Sequence, residues 1–113
     1  NNMHFFKNLP IHVYIRLMRK TSCVVGNSSS GIREGAFIGT PCINIGTRQT
    51  ARERGTNVID INGGTVEILN ALREQIAHGP YQSEPVYGDG MAGEKIANIL
   101  ASKTVNVQKL ITY

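Results

Sequence analysis

The run Cys23-Val24-Val25-Gly26-Asn27-Ser28-Ser29-Ser30-Gly31-Ile32-Arg33-Glu34-Gly35-Ala36-Phe37-Ile38-Gly39-Thr40-Pro41-Cys42-Ile43-Asn44-Ile45-Gly46 decides the fold. Two short apolar stretches, residues 23–25 and 42–45, read as buried strands. Between them, residues 30–39 read as a helix, stopped by Gly39-Thr40-Pro41. Strand, helix and strand at this spacing make a βαβ unit, which requires parallel strands and a right-handed crossover.

The turn between the first strand and the helix carries the chemistry. In an open α/β sheet, ligands bind beyond the carboxyl ends of the strands, and Asn27-Ser28-Ser29-Ser30-Gly31 lies there. The first backbone N–H groups of a helix have no partner within it. The helix dipole adds about half a positive charge at the same end. A phosphate satisfies both, and Ser28, Ser29 and Ser30 add hydroxyl donors while Gly31 permits close approach. One serine would suffice as an N-cap; three in a row exceed that need. The sequence holds neither G-x-x-x-x-G-K-[ST] nor G-x-G-x-x-G, which excludes a P-loop ATPase and the standard dinucleotide fingerprint.

Three further features surround this turn. Gly31, Gly35 and Gly39 recur every four residues and form a bare stripe, read as the face that lets the helix lie close to its sheet. Glu34 is expected in the helix's first turn, where a carboxylate either answers the dipole or accepts hydrogen bonds from the hydroxyls of a ribose. Arg48 follows the second strand in Gly46-Thr47-Arg48-Gln49. Neighbouring parallel strands end on one edge, so Arg48 should stand near residues 28–31, where its guanidinium can pair a phosphate. Arg52 and Arg54 stay undecided, with Glu53 available to balance them.

Outward from this unit, residues 3–6 read as a short strand and residues 11–20 as an amphipathic helix, with Ile11, Tyr14, Ile15, Leu17 and Met18 inward. Residues 46–56 form a polar, basic loop and residues 58–61 a third strand. Residues 65–78 make a helix with Thr65 as its cap. Residues 79–90 form a Gly/Pro loop and residues 90–102 a last helix. The tail 103–113 is ambiguous. The whole is one α/β domain over residues 1–113: a Rossmann-like parallel sheet flanked by helices.

Composition sets outer bounds. The 113 residues are 41% hydrophobic and 18% charged with a net charge of +4, which suits a globular fold and an anionic ligand. No apolar run approaches the roughly 20 residues that span a bilayer, and no secretory leader is visible at the start, so a cytoplasmic location is expected. The basic residues lack aromatic interleaving or zinc-finger spacing, which argues against nucleic acid. Cys23 and Cys42 lie in apolar runs without metal-ligand spacing and read as small buried hydrophobes. No metal and no cofactor is expected.

The segments from Val25 to Glu34, from Gly39 to Gln49, and Tyr87-Gly88-Asp89-Gly90 resemble, in order and spacing, UDP-N-acetylglucosamine 2-epimerases. The resemblance runs from about Leu9 to Ala101. It implies the C-terminal half of a GT-B fold, the half that holds UDP, with the N-terminal domain of the same chain as its missing partner. Ser28 and Ser29 then match phosphate-binding serines, Glu34 a ribose-binding glutamate, and Arg48 a phosphate-contacting arginine. Asn27-Ser28-Ser29-Ser30-Gly31 and Gly46-Thr47-Arg48-Gln49 look more like the hydrolysing branch, which turns UDP-GlcNAc into ManNAc and UDP in sialic acid synthesis, than the non-hydrolysing one. The family's Thr-His-Arg-like motif is absent, and His4, His12 and His78 do not match it. The resemblance therefore implies no catalytic residue in this chain, and an inactive fragment. A GT-B glycosyltransferase domain, a non-catalytic sugar-nucleotide-binding module and a ligand-free α/β domain are the alternatives. Association between copies is left open.

Overall fold

A computed structural model describes residues 2–104. Its elements follow one another as α1 (Ile11–Lys20), β1 (Val24–Gly26), α2 (Ser29–Ile38), β2 (Cys42–Ile45), β3 (Val58–Ile61), α3 (Thr65–His78) and α4 (Ala92–Ser102). The three strands form one parallel sheet in the order β1-β2-β3. Val24 pairs with Cys42 and Gly26 with Asn44, while Cys42 pairs with Val58 and Ile45 with Ile61. All three strands therefore end on one edge, and α2 starts from that edge. This is the Rossmann-like α/β arrangement that the alternation of apolar runs predicts.

The core lies where α2 and α3 meet the central strand, with α1 packed on α2. Met18, Ile32, Ala36, Cys42, Ile43 and Ala71 are buried, Ile32 and Ile43 completely. Each of those two isoleucines contributes roughly 2–3 kcal/mol of burial. The glycine stripe works as read at Gly31 and Gly35, whereas Gly39 faces the Tyr81 backbone and not the sheet. A Cβ on Gly31 would strike Cys42 Sγ, and one on Gly35 would sit 3.1 Å from Asn57 Nδ2. Gly39 ends α2 at φ 81°, and its N–H donates to the Gly35 carbonyl (2.8 Å). Only glycine takes that conformation without strain.

Polar groups hold the strand starts. Gln75 of α3, fully buried, donates to the carbonyls of Cys42 (2.8 Å) and Asn57 (3.0 Å) and accepts from the Tyr81 hydroxyl (2.8 Å). Asn57 in turn donates to the carbonyls of Thr40 (2.8 Å) and Gly31 (3.1 Å). Residues 79–88 strap the outside of α2: the Tyr81 N–H donates to the Gly39 carbonyl (2.8 Å) and the Glu84 N–H to the Ala36 carbonyl (2.9 Å).

Several expectations are corrected. Residues 3–6 form no strand; they pair with none of the three strands and stay exposed, Phe5 at 86%. Ile11 and Leu17 of α1 are exposed, so its buried face narrows to Tyr14, Ile15 and Met18. Strand β1 starts and ends one residue later than expected, and it is half-buried because β2 covers only one of its edges. Cys23 is half-buried, while Cys42 is buried; both are free. Burial, with Cys23 and Asp60 nearby, pushes the Cys42 thiol up to about 12. Gly64, not Thr65, caps α3, and the Glu67 carboxylate accepts from the Gly63 N–H (3.1 Å). Helix α4 begins at Ala92, two residues later than expected, because Gly88 and Gly90 hold positive φ angles. Of the ambiguous tail, residues 105–113 lie outside the described residues. Among the described residues no helix is long and apolar enough to cross a membrane.

Candidate functional site

The site begins where β1 stops. Ser28 adopts extended backbone (φ −76°, ψ 140°), the N-cap conformation, and its hydroxyl accepts from the Ser30 N–H (3.3 Å). The Ser30 hydroxyl is hydrogen-bonded on two sides, to Ser28 Oγ (2.9 Å) and to the Tyr14 hydroxyl of α1 (2.7 Å). Of the three serines, Ser28 caps, Ser30 is tied to the neighbouring helix, and Ser29 makes no side-chain hydrogen bond among the described residues. Three serines in a row thus serve three different roles. The remaining N–H groups of the first turn face the strand-end edge with the positive end of the dipole.

The second wall comes from the segment after β2. Gly46 turns the chain at φ 77°, and Thr47–Ala51 coils tightly, with the Thr50 N–H donating to the Thr47 carbonyl (3.0 Å). This brings Arg48 and Gln49 onto one residue of the first wall. Arg48 Nη1 reaches Asn27 Oδ1 (3.4 Å), and Gln49 Nε2 donates to the Asn27 carbonyl (2.8 Å). Arg48 therefore stands beside Asn27, the residue that precedes 28–31. The Arg48 guanidinium is exposed and, among the described residues, meets only a neutral amide, so it has no carboxylate partner there.

Arg54, undecided from sequence, buttresses this wall. Its Nη2 donates to the Gln49 carbonyl (2.9 Å), and its guanidinium pairs with Asp60 of β3 (Nε–Oδ2 2.6 Å, Nη2–Oδ1 3.1 Å). Asn44 of β2 also donates to Asp60 (2.6 Å). Burial pushes the Asp60 carboxyl up, but the hydrogen bonds from Arg54 and Asn44 and the guanidinium charge outweigh it and hold it below the ordinary carboxylate range. Arg54 is thus neutralised in place, whereas Arg48 is not.

Glu34 lies in the second turn of α2, not the first as expected, because the helix begins at Ser29. It follows Ser30 by four residues and so shares its face toward α1. A groove of about 540 Å³ runs past it, lined among others by Ile15, Arg19, Phe37 and Tyr87. The Arg33 guanidinium lies 5.7 Å from the centre of the Tyr87 ring in the same groove. Five residues of rise separate Glu34 from Ser29, about 7.5 Å along the helix axis.

Ser28, Ser29, Ser30, Gly31, Glu34 and Arg48 thus fall along one helix start and the loop beside it. Tyr14, Asn27 and Gln49 complete the wall and were not singled out in the sequence. Asn27 and Gln49 sat inside motifs already quoted, but only the pairing of the two loops shows what they do. His12 and His78 are exposed, and the His78 ring stacks on Tyr81 (3.8 Å between centroids).

A parallel sheet whose strand ends carry an open helix start defines a Rossmann-like domain. The chain belongs to the UDP-N-acetylglucosamine 2-epimerase family, whose model matches residues 1–101. It is 33% identical over 109 residues to the UDP-N,N'-diacetylbacillosamine 2-epimerase (hydrolyzing) of Legionella pneumophila, covering 96% of this chain and 29% of that protein. It is 31% identical over 85 residues to the UDP-N-acetylglucosamine 2-epimerase of Neisseria meningitidis, covering 75% of this chain and 22% of that protein. A stretch of 55 residues is 53% identical to the GDP/UDP-N,N'-diacetylbacillosamine 2-epimerase (hydrolyzing) of Campylobacter jejuni, covering 49% of this chain and 14% of that protein. The chain therefore spans less than a third of the length of these relatives.

Proposed function

We propose that the chain is the UDP-holding part of a hydrolysing UDP-GlcNAc 2-epimerase, a portion of the C-terminal domain of a two-domain GT-B enzyme acting in the cytoplasm. The observation that carries this reading is the closure of two loops on one helix start: Arg48 and Gln49, from beyond β2, both bond Asn27 at the head of α2. The diphosphate lies on the first-turn amides, the Ser28 and Ser29 hydroxyls and the Arg48 guanidinium. Glu34 accepts from the ribose hydroxyls.

In the reaction, UDP leaves the sugar by anti elimination: the C1–O bond breaks and the C2 proton is removed, leaving a glycal. Water then adds to give ManNAc with inverted C2. As the C1–O bond breaks, negative charge grows on the departing diphosphate. Helix amides and a cation held in place stabilise that charge without reorganising. This chain's part is thus to grip the leaving group. The acid and base acting on the sugar come largely from the N-terminal domain, together with a histidine of a Thr-His-Arg-like motif that this sequence does not contain, so the chain alone is inactive.

Two of the relatives named above are called diacetylbacillosamine epimerases, which favours a second reading of the sugar: a diacetylated diamino sugar in place of GlcNAc. The UDP grip is the same in both. Calorimetric titration of UDP into the 113-residue chain tests the grip. Saturable binding, weakened at least tenfold by Arg48→Ala and by Ser29→Ala, is expected; unchanged affinity in both variants refutes the assignment. Steady release of ManNAc or its diacetylated counterpart by the chain alone would refute its inactivity.

A further inference from the structure

We infer that Gln49 is a positioning residue for the diphosphate: it fixes the orientation of the Asn27–Ser28 peptide so that the Ser28 N–H, and not the Asn27 carbonyl, faces the anion. The inference rests on the UDP reading above and adds a residue that does not itself touch the ligand.

Gln49 is only 3% exposed although it sits in a surface loop between two exposed neighbours, Arg48 and Thr50. An amide is rarely buried so fully without a task, since its desolvation is unfavourable unless hydrogen bonds offset it. Its Nε2 meets that need by donating to the Asn27 carbonyl (2.8 Å). Its Oε1 is buried without a partner, so the side chain is placed for its donor at the expense of its acceptor. Its backbone is pinned as well: the Gln49 carbonyl accepts from Arg54 Nη2 (2.9 Å) and from the Arg52 N–H (3.3 Å). Arg54 is itself locked on Asp60 of β3. Gln49 is therefore a rigid donor anchored through the third strand and aimed at one carbonyl in the first loop.

That carbonyl belongs to the peptide that enters α2. The peptide is trans, so its C=O and N–H point in opposite directions within one plane. Holding the Asn27 oxygen against the buried Gln49 side chain turns the Ser28 N–H to the side opposite that side chain. Released from Gln49, the peptide can rotate and present an oxygen to the anion, which replaces an attractive dipole with a repulsive one. Asn27 is suited to such a junction, because its side chain also takes the Arg48 guanidinium, so both parts of the second wall read the position of one residue.

The test uses the 113-residue chain and two variants, Gln49→Met, which keeps the length and removes the donor, and Gln49→Glu, which keeps the shape but presents a carboxylate to the Asn27 carbonyl. UDP binding is read by calorimetry. Uridine binding and the Ser28 amide are read by NMR titration, and folding by urea denaturation. The expected result is about a tenfold loss of UDP affinity in Gln49→Met, a larger loss in Gln49→Glu, and unchanged uridine affinity. The UDP-dependent shift of the Ser28 amide disappears in both. A merely structural role would lower the urea midpoint while leaving UDP affinity and the Ser28 shift intact in the folded variants, and that outcome overturns the inference but leaves the UDP reading standing. Absence of UDP binding to the unaltered chain overturns both.

Discussion

Helices α2 and α4 are 10 and 11 residues long and both are rich in small and apolar side chains, yet they meet opposite fates. Helix α2 buries Gly31, Ile32, Gly35 and Ala36 against the sheet. Helix α4 buries nothing, although Ile96, Ile99 and Leu100 line one side of it, Leu100 at 62% exposure. The difference lies in how each helix is connected. Short links join α2 to parallel strands at both ends, so it must cross the sheet, and its glycine stripe lets it lie close. Helix α4 follows a loop rich in glycine and proline, and no strand follows it among the described residues. Hydrophobic spacing identifies a helix; only the connections identify what it packs against.

This contrast predicts a ranked set of stability changes, each measured by urea denaturation of the 113-residue chain. Gly39→Ala acts at the end of α2 and should have the largest effect. An alanine there is in the left-handed region, at about 1–2 kcal/mol, and its Cβ runs into the Tyr81 carbonyl oxygen of the strap. A loss of about 3 kcal/mol is expected; a loss below 1 kcal/mol would show that the strap yields. Gln75→Leu removes the buried donor to the Cys42 and Asn57 carbonyls and should lower stability by about 2 kcal/mol. A neutral result would mean that the strand starts do not need it.

A smaller, pH-dependent effect comes from Asp60. Its folded pKa is held down, so its contribution is present above the unfolded value and is lost as pH falls through the carboxylate range toward the lower folded value. The group is exposed, so solvent screening keeps that contribution small. Asp60→Asn should flatten the acid side of the stability profile. A profile identical to that of the parent chain would remove Asp60 from the account. Leu100→Lys on α4 should change stability least, by less than about 0.5 kcal/mol. A loss above 1 kcal/mol would break the contrast between the two helices.

The sequence revealed some parts of this molecule better than others, for physical reasons. The bounds of β2, β3 and α3 follow directly from apolar runs closed by glycine and proline, because those elements pack on neighbours close in sequence. Residues 3–6 carry the same apolar signal as a strand but pair with none of the three strands and stay exposed, and composition holds no record of that. In the site, Ser28, Ser29 and Arg48 were legible because parallel strands must end together. Glu34 was placed one turn too early, since the helix begins a residue sooner than its apolar period suggests. Gln49 and Gln75 were silent: a polar residue that bonds a distant backbone carbonyl looks, in sequence, like any residue facing solvent, and Tyr14, an inward residue of α1, carried no sign of its bond to Ser30.

The central claim is that the head of α2 holds the diphosphate of UDP. Amide NMR of the 113-residue chain during UDP titration tests it most directly. The account predicts saturable shifts that are largest at Ser28, Ser29, Ser30 and Gly31, with the Arg48 side chain moving in step. No saturable shifts, or saturable shifts confined to residues far from that helix start, such as Ile96 to Leu100, would contradict it.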